Sequence, residues 1–496
     1  MLAIEKKVNH HTPESLSKRV LKGGLWVITL RIINRGLGFI RTIILARLLA
    51  PEDFGLLGIA LLSLSTLETL SQTGFQPALV QKKINVEPYL DTAWTVSAIR
   101  GTLLFCILFF SAPLIAKFFS SPDAISVIRV IALFPLLSGL RNIGVIFFQK
   151  ELEFNMQFYY EFSATCANLI IAITLAFVLR NVWALVWGGL AANLTRLSMS
   201  YILHPYRPKL RFRKEKFQEL FGFGKWVLGS SLLVFLVTQG DDIFVGKVLG
   251  ITALGLYQIA YTFSNLPATE ITHVISQVTF PAYSKLQDQP TKLKEAYLRV
   301  LHVTTFLSIP LTVGIIVLAP QFIHLLLGEK WLPAAPAVQV LALAGLFRSI
   351  AASSGYLFYA LGKVKTDTML QVLRLTILAS LIYPFAKKLQ LLGVSIAVVA
   401  SIFLSNIGFT LIALKLIRCG LTQLLKIILI PLLNGALAAA IILILKTVMG
   451  TGLFELLFFS LSGIIVYIGA AYLSDILFAY PLRSLTTEII TSLKGN

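Results

Sequence analysis

The sequence contains one stretch twice, as RTIILARLLAPEDFGLLGIA over residues 41–60 and as DDIFVGKVLGITALGLYQIA over residues 241–260. Without a gap the copies match at aliphatic, glycine and basic positions, for example Gly55 with Gly255. A chance likeness between two apolar helices is the alternative, but it does not explain why glycine and basic positions match as well as aliphatic ones. We therefore interpret the chain as an internal duplication with an offset of 200 residues.

The composition indicates a membrane protein. Of 496 residues, 56% are hydrophobic and 13% are charged, whereas soluble domains carry about 25% charged residues. Apolar stretches that reach the roughly 20 residues needed to cross a bilayer recur along the chain. We predict an all-α integral membrane protein with about fourteen transmembrane helices, near residues 22–49, 53–80, 90–118, 123–148, 155–180, 182–204, 221–248, 251–280, 297–327, 333–361, 366–388, 391–414, 423–446 and 452–480.

The duplication predicts how these spans are organised. Its offset separates the first and seventh spans, so the repeat unit contains six spans. An even number of spans starts both copies on the same side of the membrane, which predicts two parallel six-helix lobes. The predicted domains are an N-terminal lobe over residues 1–205, a second lobe over residues 206–420, and two additional helices over residues 421–496.

The net charge of +20 follows the predicted topology. Lysine and arginine concentrate in the connections on one side of the spans, which the positive-inside rule assigns to the cytoplasm together with both termini. A nucleic-acid partner is not expected, because it would need a basic face on a soluble domain. The linker PYRPKLRFRKEKFQE, residues 205–219, either docks anionic membrane lipid or only holds this connection inside, and the second interpretation is the favoured one.

Several arginines lie inside the predicted spans of the first half. Arg31 and Arg35 share one helical face, and Arg35 lies roughly 18 Å along its span, near the bilayer midplane. An arginine at that depth has to face protein or water. Arg100, Arg141 and Arg196 lie within about two or three turns of the cytoplasmic ends of their spans.

These five arginines are predicted to form a basic pocket with Glu68 for the cargo. Only Glu68 and Glu161 are nearby acids, so positive charge is in excess. Such an excess suits an anionic substrate such as a phosphate or pyrophosphate. The alternative is that an acid neutralises each arginine or that the side chain reaches the membrane interface.

The charged residues inside the predicted spans of the second half include acids as well as arginines. Asp241, Asp242 and Glu270, with Arg374, are candidates for coupling transport to a proton or a sodium ion. Alternatively, Asp242 pairs with Lys247 at the membrane interface.

Signatures of catalysis are missing from the sequence. It has no Walker A loop, GxSxG elbow or HExxH motif, and its three cysteines lack metal-site spacing. We therefore expect a protein that is not an enzyme and that needs no cofactor and no metal.

The stretch LARLLAPEDFGLLGIALLSLSTLETLSQTGFQPALVQ, from Leu45 to Gln81, resembles the polysaccharide transporter family of the multidrug/oligosaccharidyl-lipid/polysaccharide exporter superfamily. The resemblance implies two six-helix lobes around a central cavity that opens alternately to each side, as in multidrug exporters of that superfamily. It implies a bacterial inner-membrane flippase for surface polysaccharide or lipopolysaccharide biosynthesis, with an undecaprenyl-pyrophosphate-linked oligosaccharide as cargo. Other polysaccharide assembly proteins are candidate partners.

Two other functions compete with this prediction. A small-molecule exporter of the same superfamily is expected to have a less basic cavity. A membrane-embedded glycosyltransferase or polymerase is expected to carry a large outer loop with catalytic groups, which this sequence lacks.

Overall fold

The computed structural model describes residues 16–72, 79, 86–151, 153–450 and 452–478. The described residues are helical and contain no β-strand, which confirms the all-α prediction for this part of the chain. Their helices are α1 Leu16–Leu48, α2 Pro51–Leu70, α3 Glu87–Phe118, α4 Ala124–Ile131, α5 Leu133–Gly139, α6 Ile146–Lys150, α7 Phe154–Leu179, α8 Trp183–Leu203, α9 Lys214–Phe244, α10 Ile251–Ser264, α11 Thr272–Leu286, α12 Pro290–Phe322, α13 Ala335–Ala360, α14 Val364–Leu416, α15 Leu421–Val448 and α16 Leu453–Phe478.

The chain crosses the membrane several times. Within the described residues, eight helices are long and apolar enough to span a bilayer. They are α2, α3, α7 and α12 to α16. The segment from α4 to α6 bends by 70° and forms a ninth span if it is one crossing. The other predicted spans also coincide with helices, α1 and α8 to α11. Fourteen crossings stay a prediction. Residues 73–78 and 80 of the second predicted span and both termini lie outside the described residues.

Helix α14 consists of two arms. Its 53 residues would extend about 80 Å if straight, more than twice the roughly 30 Å hydrocarbon core. Gln390 interrupts it with a φ of 49°, in the region that non-glycine residues seldom adopt. A Cβ on Gly393 would lie 2.0 Å from the carbonyl oxygen of Phe385, so this turn needs a glycine there. The break lies between the predicted spans 366–388 and 391–414.

Contacts divide the chain into two compact units, residues 1–235 and 236–496, with the division inside α9. The first unit is built around close contact between α7 and α8. Ala172 and Ala176 on α7 pack with Ala184 and Leu185 on α8. Small side chains let these two backbones approach, which is how membrane helices gain packing energy. The predicted boundaries at residues 205 and 420 stay predictions.

The second unit has a core of aromatic and aliphatic side chains. Tyr297 on α12 is buried, and its hydroxyl group lies 2.8 Å from that of Ser354 on α13. The last two helices belong to this unit, since the Tyr467 hydroxyl on α16 donates a 3.0 Å hydrogen bond to the carbonyl of Phe306 on α12. Helices α12, α15 and α16 therefore form one packed group.

The duplicated stretch has the same local structure in both units. A helix break falls between Leu48 and Pro51 in the first copy and between Leu249 and Ile251 in the second. In the first copy, Asp53 accepts a 2.9 Å hydrogen bond from the Ala50 amide, which satisfies a donor at the start of α2. Residues 51–55, PEDFG, therefore form the start of α2.

Candidate functional site

An ion pair joins helices α7 and α8 in the first unit. Arg196 on α8 donates from Nε to Glu161 Oε2 on α7 at 3.2 Å. The Arg196 and Glu161 side chains are 28% and 34% exposed, so the pair is accessible to solvent or to a ligand. The pair exists because α7 and α8 run side by side in close contact.

Arg141 lies next to this pair, directly after α5. Its Nη2 atom donates a 2.7 Å hydrogen bond to Asn193 Oδ1 on α8, and its side chain also hydrogen-bonds Tyr160. The Glu161 carboxylate and the Arg196 guanidinium are both in electrostatic range of it. Two guanidinium groups therefore share the charge of Glu161.

A cavity of about 220 Å³ opens beside these residues. Arg41 on α1 lines it and donates from Nη1 to Asn168 Oδ1 at 2.5 Å. The Nε atom of Arg41 is buried and makes no hydrogen bond. Arg196 and Asn193 line the same cavity, so two guanidinium groups and two amide side chains face one space. Apolar side chains, including Phe134, complete the wall.

The second unit contains a buried acidic pair on α9. Asp241 and Asp242 are 2% and 7% exposed. Asp241 accepts a 2.7 Å hydrogen bond from the Tyr257 hydroxyl, and Asp242 is hydrogen-bonded to Gln258. The Oδ1 atoms of both aspartates are buried and have no hydrogen-bond partner.

Two arginines balance this acidic pair and line a second cavity of about 280 Å³. Arg348 on α13 is in electrostatic range of Asp242, and Arg374 on α14 is in electrostatic range of Asp241. Arg348 also lies over the Tyr261 ring at 4.7 Å and donates to Asn265 Oδ1 at 2.9 Å. The cavity is therefore lined by two guanidinium groups and by the Asp367 carboxylate.

Comparison with known proteins identifies the family. A family model described as "Polysaccharide biosynthesis protein" matches residues 44–336, more than half of the chain. The chain belongs to this polysaccharide biosynthesis protein family. The family prediction made from residues 45–81 is thus confirmed.

Individual relatives agree with this assignment. The chain is 28% identical to the lipopolysaccharide biosynthesis protein WzxC of Escherichia coli strain K12 over 71% of this chain and 72% of the relative. Its fold resembles that of the lipid II flippase MurJ, with a TM-score of 0.72 at 17% identity over 92% of this chain and 99% of that one. It also resembles an inward-facing multidrug transporter of the MATE family, with a TM-score of 0.62 at 18% identity over 77% and 94% of the two chains.

The other residues predicted for cargo binding do not line the first cavity. Arg100 donates from Nε to Ser71 Oγ and from Nη2 to the Glu68 carbonyl oxygen, both at 3.0 Å, so it closes the end of α2. The Glu68 carboxylate is in electrostatic range of Arg100 and Arg141. On α1, Arg31 is partly buried and Arg35 is exposed.

Sequence reasoning missed three residues of the first cavity. Arg41 lies in the first predicted span but is not among the residues predicted for the pocket, and Asn168 and Asn193 carry no charge that would mark them. Six residues separate Arg41 from Arg35, which turns its side chain to another face of α1. In the second unit Glu270 lies in the π-helical turn Pro267–Ile271 and does not line the described cavity.

Proposed function

We propose that this chain is a flippase that moves a polyprenyl-pyrophosphate-linked oligosaccharide across the plasma membrane by alternating access, for surface polysaccharide biosynthesis. Its family, its several membrane spans and its likeness to WzxC support a role in moving polysaccharide precursors. A fold shared with a lipid II flippase is compatible with a lipid-linked cargo. Undecaprenyl pyrophosphate is the carrier that we expect.

The observation that carries the proposal is the basic cavity of the first unit. Arg41 and Arg196 reach into it, Arg141 adjoins it, and Glu161 is the carboxylate that Arg141 and Arg196 share. Guanidinium groups bind phosphate oxygens in a bidentate manner, and the Asn168 and Asn193 amides can donate further hydrogen bonds. The arrangement therefore suits a pyrophosphate.

The size of the cavity limits what it holds. Its volume of about 220 Å³ equals that of about seven water molecules. It accommodates the pyrophosphate or one sugar ring but not a whole oligosaccharide. The other sugars then occupy space outside this cavity, and the polyprenyl tail stays in the lipid.

The acidic pair of the second unit serves ion coupling in this proposal. Asp241 and Asp242 are adjacent, and each has a buried oxygen without a hydrogen-bond partner that a proton or a sodium ion would satisfy. Arg374 lies in electrostatic range of Asp241 and would respond to its change of charge. Glu270 provides a further acid on the neighbouring turn.

The proposed transport cycle uses the predicted architecture. Two parallel six-helix lobes, residues 1–205 and 206–420, alternate between inward-open and outward-open arrangements, and residues 421–496 add two helices. Both termini are cytoplasmic in this topology.

Complementation tests the proposal directly. The chain is expressed in a bacterium that lacks its own polysaccharide exporter, together with Arg41→Ala and Arg196→Ala variants. We expect the wild type to restore surface polysaccharide and both variants to accumulate the lipid-linked intermediate in the cytoplasmic leaflet, since each removes a phosphate-binding group. Arg129→Ala is the matched control, because Arg129 is exposed, lies over the Phe109 ring at 5.1 Å and does not line the first cavity.

Membrane abundance is measured for every variant. Normal export by equally abundant Arg41→Ala and Arg196→Ala proteins would reject the basic cavity as the cargo site. Failure of the wild type in several hosts, together with export of small organic cations, would favour the small-molecule exporter instead.

A further inference from the structure

The segment that joins α8 to α9, residues 204–213, forms neither helix nor strand and is fastened to α3. The amide of Lys209 donates to Asp91 Oδ1 at 3.0 Å, and the amide of Arg211 donates to Thr95 Oγ1 at 3.0 Å. The amide of Arg213 donates to Thr92 Oγ1 at 3.3 Å. Every second backbone amide of this linker segment therefore faces the same helix.

The other end of the linker segment is held as firmly. The side-chain amide of Asn142 donates to the Tyr206 carbonyl at 2.5 Å, and the Tyr206 hydroxyl donates to Asp91. The ring of His204 stacks on Phe147 with centroids 5.5 Å apart and an angle of 8° between planes. The linker segment thus has one defined register along α3.

This register presents basic side chains at a regular spacing. The alternate amides that bond α3 belong to Lys209, Arg211 and Arg213, so these three side chains share one face. The guanidinium of a fourth basic residue, Arg207, donates to the carbonyl oxygens of His204 and Tyr206. All four are exposed, and within the described residues none of them forms an ion pair. At no more than about 3.3 Å per residue, the row from Lys209 to Arg213 is at most about 13 Å long.

Apolar side chains alternate with this row. Leu210 is 76% exposed and Phe212 is 56% exposed, and they lie on the face opposite the basic residues. A surface that joins exposed apolar side chains to a row of cations has the composition of an interfacial segment, with apolar groups at the acyl boundary and cations at the headgroups.

We propose that the linker segment binds the headgroups of anionic phospholipids in the cytoplasmic leaflet. A segment that only sets topology needs positive charge but no fixed register, whereas this one has three backbone amides and two side chains bound in place. Anionic headgroups complement its unpaired charge, and each cation near such a surface raises affinity roughly fivefold. The site relies on the proposed orientation of the linker and is independent of the cargo.

Lipid binding to the full chain in zwitterionic detergent tests this proposal. Native mass spectrometry compares the binding constants of phosphatidylglycerol and phosphatidylcholine. We expect Arg211→Gln/Arg213→Gln to lower the affinity for phosphatidylglycerol roughly 25-fold, at about fivefold for each cation, and to leave phosphatidylcholine binding unchanged. Lys387→Gln/Lys388→Gln removes the same charge from an exposed pair on the opposite predicted side and is the matched control.

A second variant tests whether lipid binding depends on the fixed position of the linker segment or only on its charge. Thr95→Val removes the oxygen that accepts from the Arg211 amide and leaves every charge in place. We expect it to weaken phosphatidylglycerol binding several-fold. Unchanged binding in the Arg211→Gln/Arg213→Gln protein, or an equal loss in the Lys387→Gln/Lys388→Gln control, would overturn the proposal.

Folding is checked by gel filtration and by the unfolding temperature. If the glutamine variant does not fold, the salt dependence of phosphatidylglycerol binding to the wild type decides, because an electrostatic site weakens as salt rises. Binding that does not respond to salt would also overturn the proposal. These measurements contain no cargo, so their failure would leave the flippase proposal standing.

Discussion

The ion pair between Arg196 and Glu161 adds little to the stability of the first unit. Both side chains of this ion pair are about one-third exposed, and pairs of that kind stabilise a fold by about 1 kcal/mol or less. Arg41 has a buried Nε atom without a hydrogen bond, which costs stability. These arginines therefore add little to stability, which agrees with the proposed role in binding an anion.

His204 leads to a prediction about pH. Burial, and then the positive charge of Arg207, lower the pKa of His204 below its ordinary value of 6.5. Its Nδ1 atom accepts a 3.2 Å hydrogen bond from the Tyr206 amide, which requires the neutral ring. A lowered pKa in the folded state means that this stabilisation is present above pH 6.5 and is lost as the pH falls towards the folded-state value.

We therefore expect amide hydrogen exchange in residues 204–213 to accelerate as the pH falls from about 7.5 to about 5, after correction for the intrinsic pH dependence of exchange. His204→Gln, which does not titrate, should show a much flatter response. Identical corrected profiles for the wild type and the His204→Gln protein would contradict the prediction.

The residues of the candidate site could be predicted only in part from the sequence. Depth along a span placed Arg141 and Arg196 near one another, and the structure brings them to the same carboxylate. Depth does not specify which face of α1 meets α7, so Arg41 was missed although its partner Asn168 lies on α7. The neutral amides Asn168 and Asn193 leave no mark in a charge pattern.

At the scale of elements, the contact between α7 and α8 depends on Gly188. A Cβ at this position would lie 2.6 Å from the Ala172 Cβ, closer than side chains pack. We expect Gly188→Ala to force the helices apart and to lower the free energy of unfolding by about 1–3 kcal/mol, the usual cost of overpacking. Thermal unfolding in a fixed detergent measures the change.

Gly36→Ala on α1 is the control for Gly188→Ala. Nothing lies within 4 Å of a Cβ at Gly36, so this variant should gain up to about 1 kcal/mol from helix propensity. Equal unfolding temperatures for the two variants would mean that the α7–α8 contact has room for the methyl group.

Helix breaks differ in how far the sequence predicts them. The break at Gln390 was predicted, because 53 apolar-rich residues are too many for one crossing. The bend between α5 and α6 was not, because it depends on tertiary hydrogen bonds. The Asn142 amide donates to Ser200 Oγ on α8 at 2.9 Å, and its side chain accepts from the Gly144 amide at 2.9 Å. Span length carries no information about such contacts.

At the scale of the whole molecule, the two units share a pattern of elements but differ in charge. Helix α7 ends at a left-handed residue, Arg180, and the first arm of α14 ends at another, Gln390, which is 210 positions later. By this offset, which is ten residues longer than that of the duplicated stretch 41–60, Glu161 corresponds to Gln371 and Arg196 to Asn406, and both amides line the second cavity. The ion pair of the first unit is thus replaced by neutral side chains in the second.

This asymmetry predicts that cargo binding and ion coupling separate between the units. In proteoliposomes, Arg196→Gln should weaken binding of an undecaprenyl-pyrophosphate-linked disaccharide about tenfold or more, since a hydrogen bond to a charged group contributes about 1.5–3 kcal/mol. Asp241→Asn keeps an oxygen for the Tyr257 hydroxyl but cannot exchange a proton. It should bind the same probe normally while transport loses its response to an imposed ion gradient. Equal loss of probe binding in the Arg196→Gln and Asp241→Asn proteins would contradict this separation, because it would mean that charged residues of both units bind the cargo.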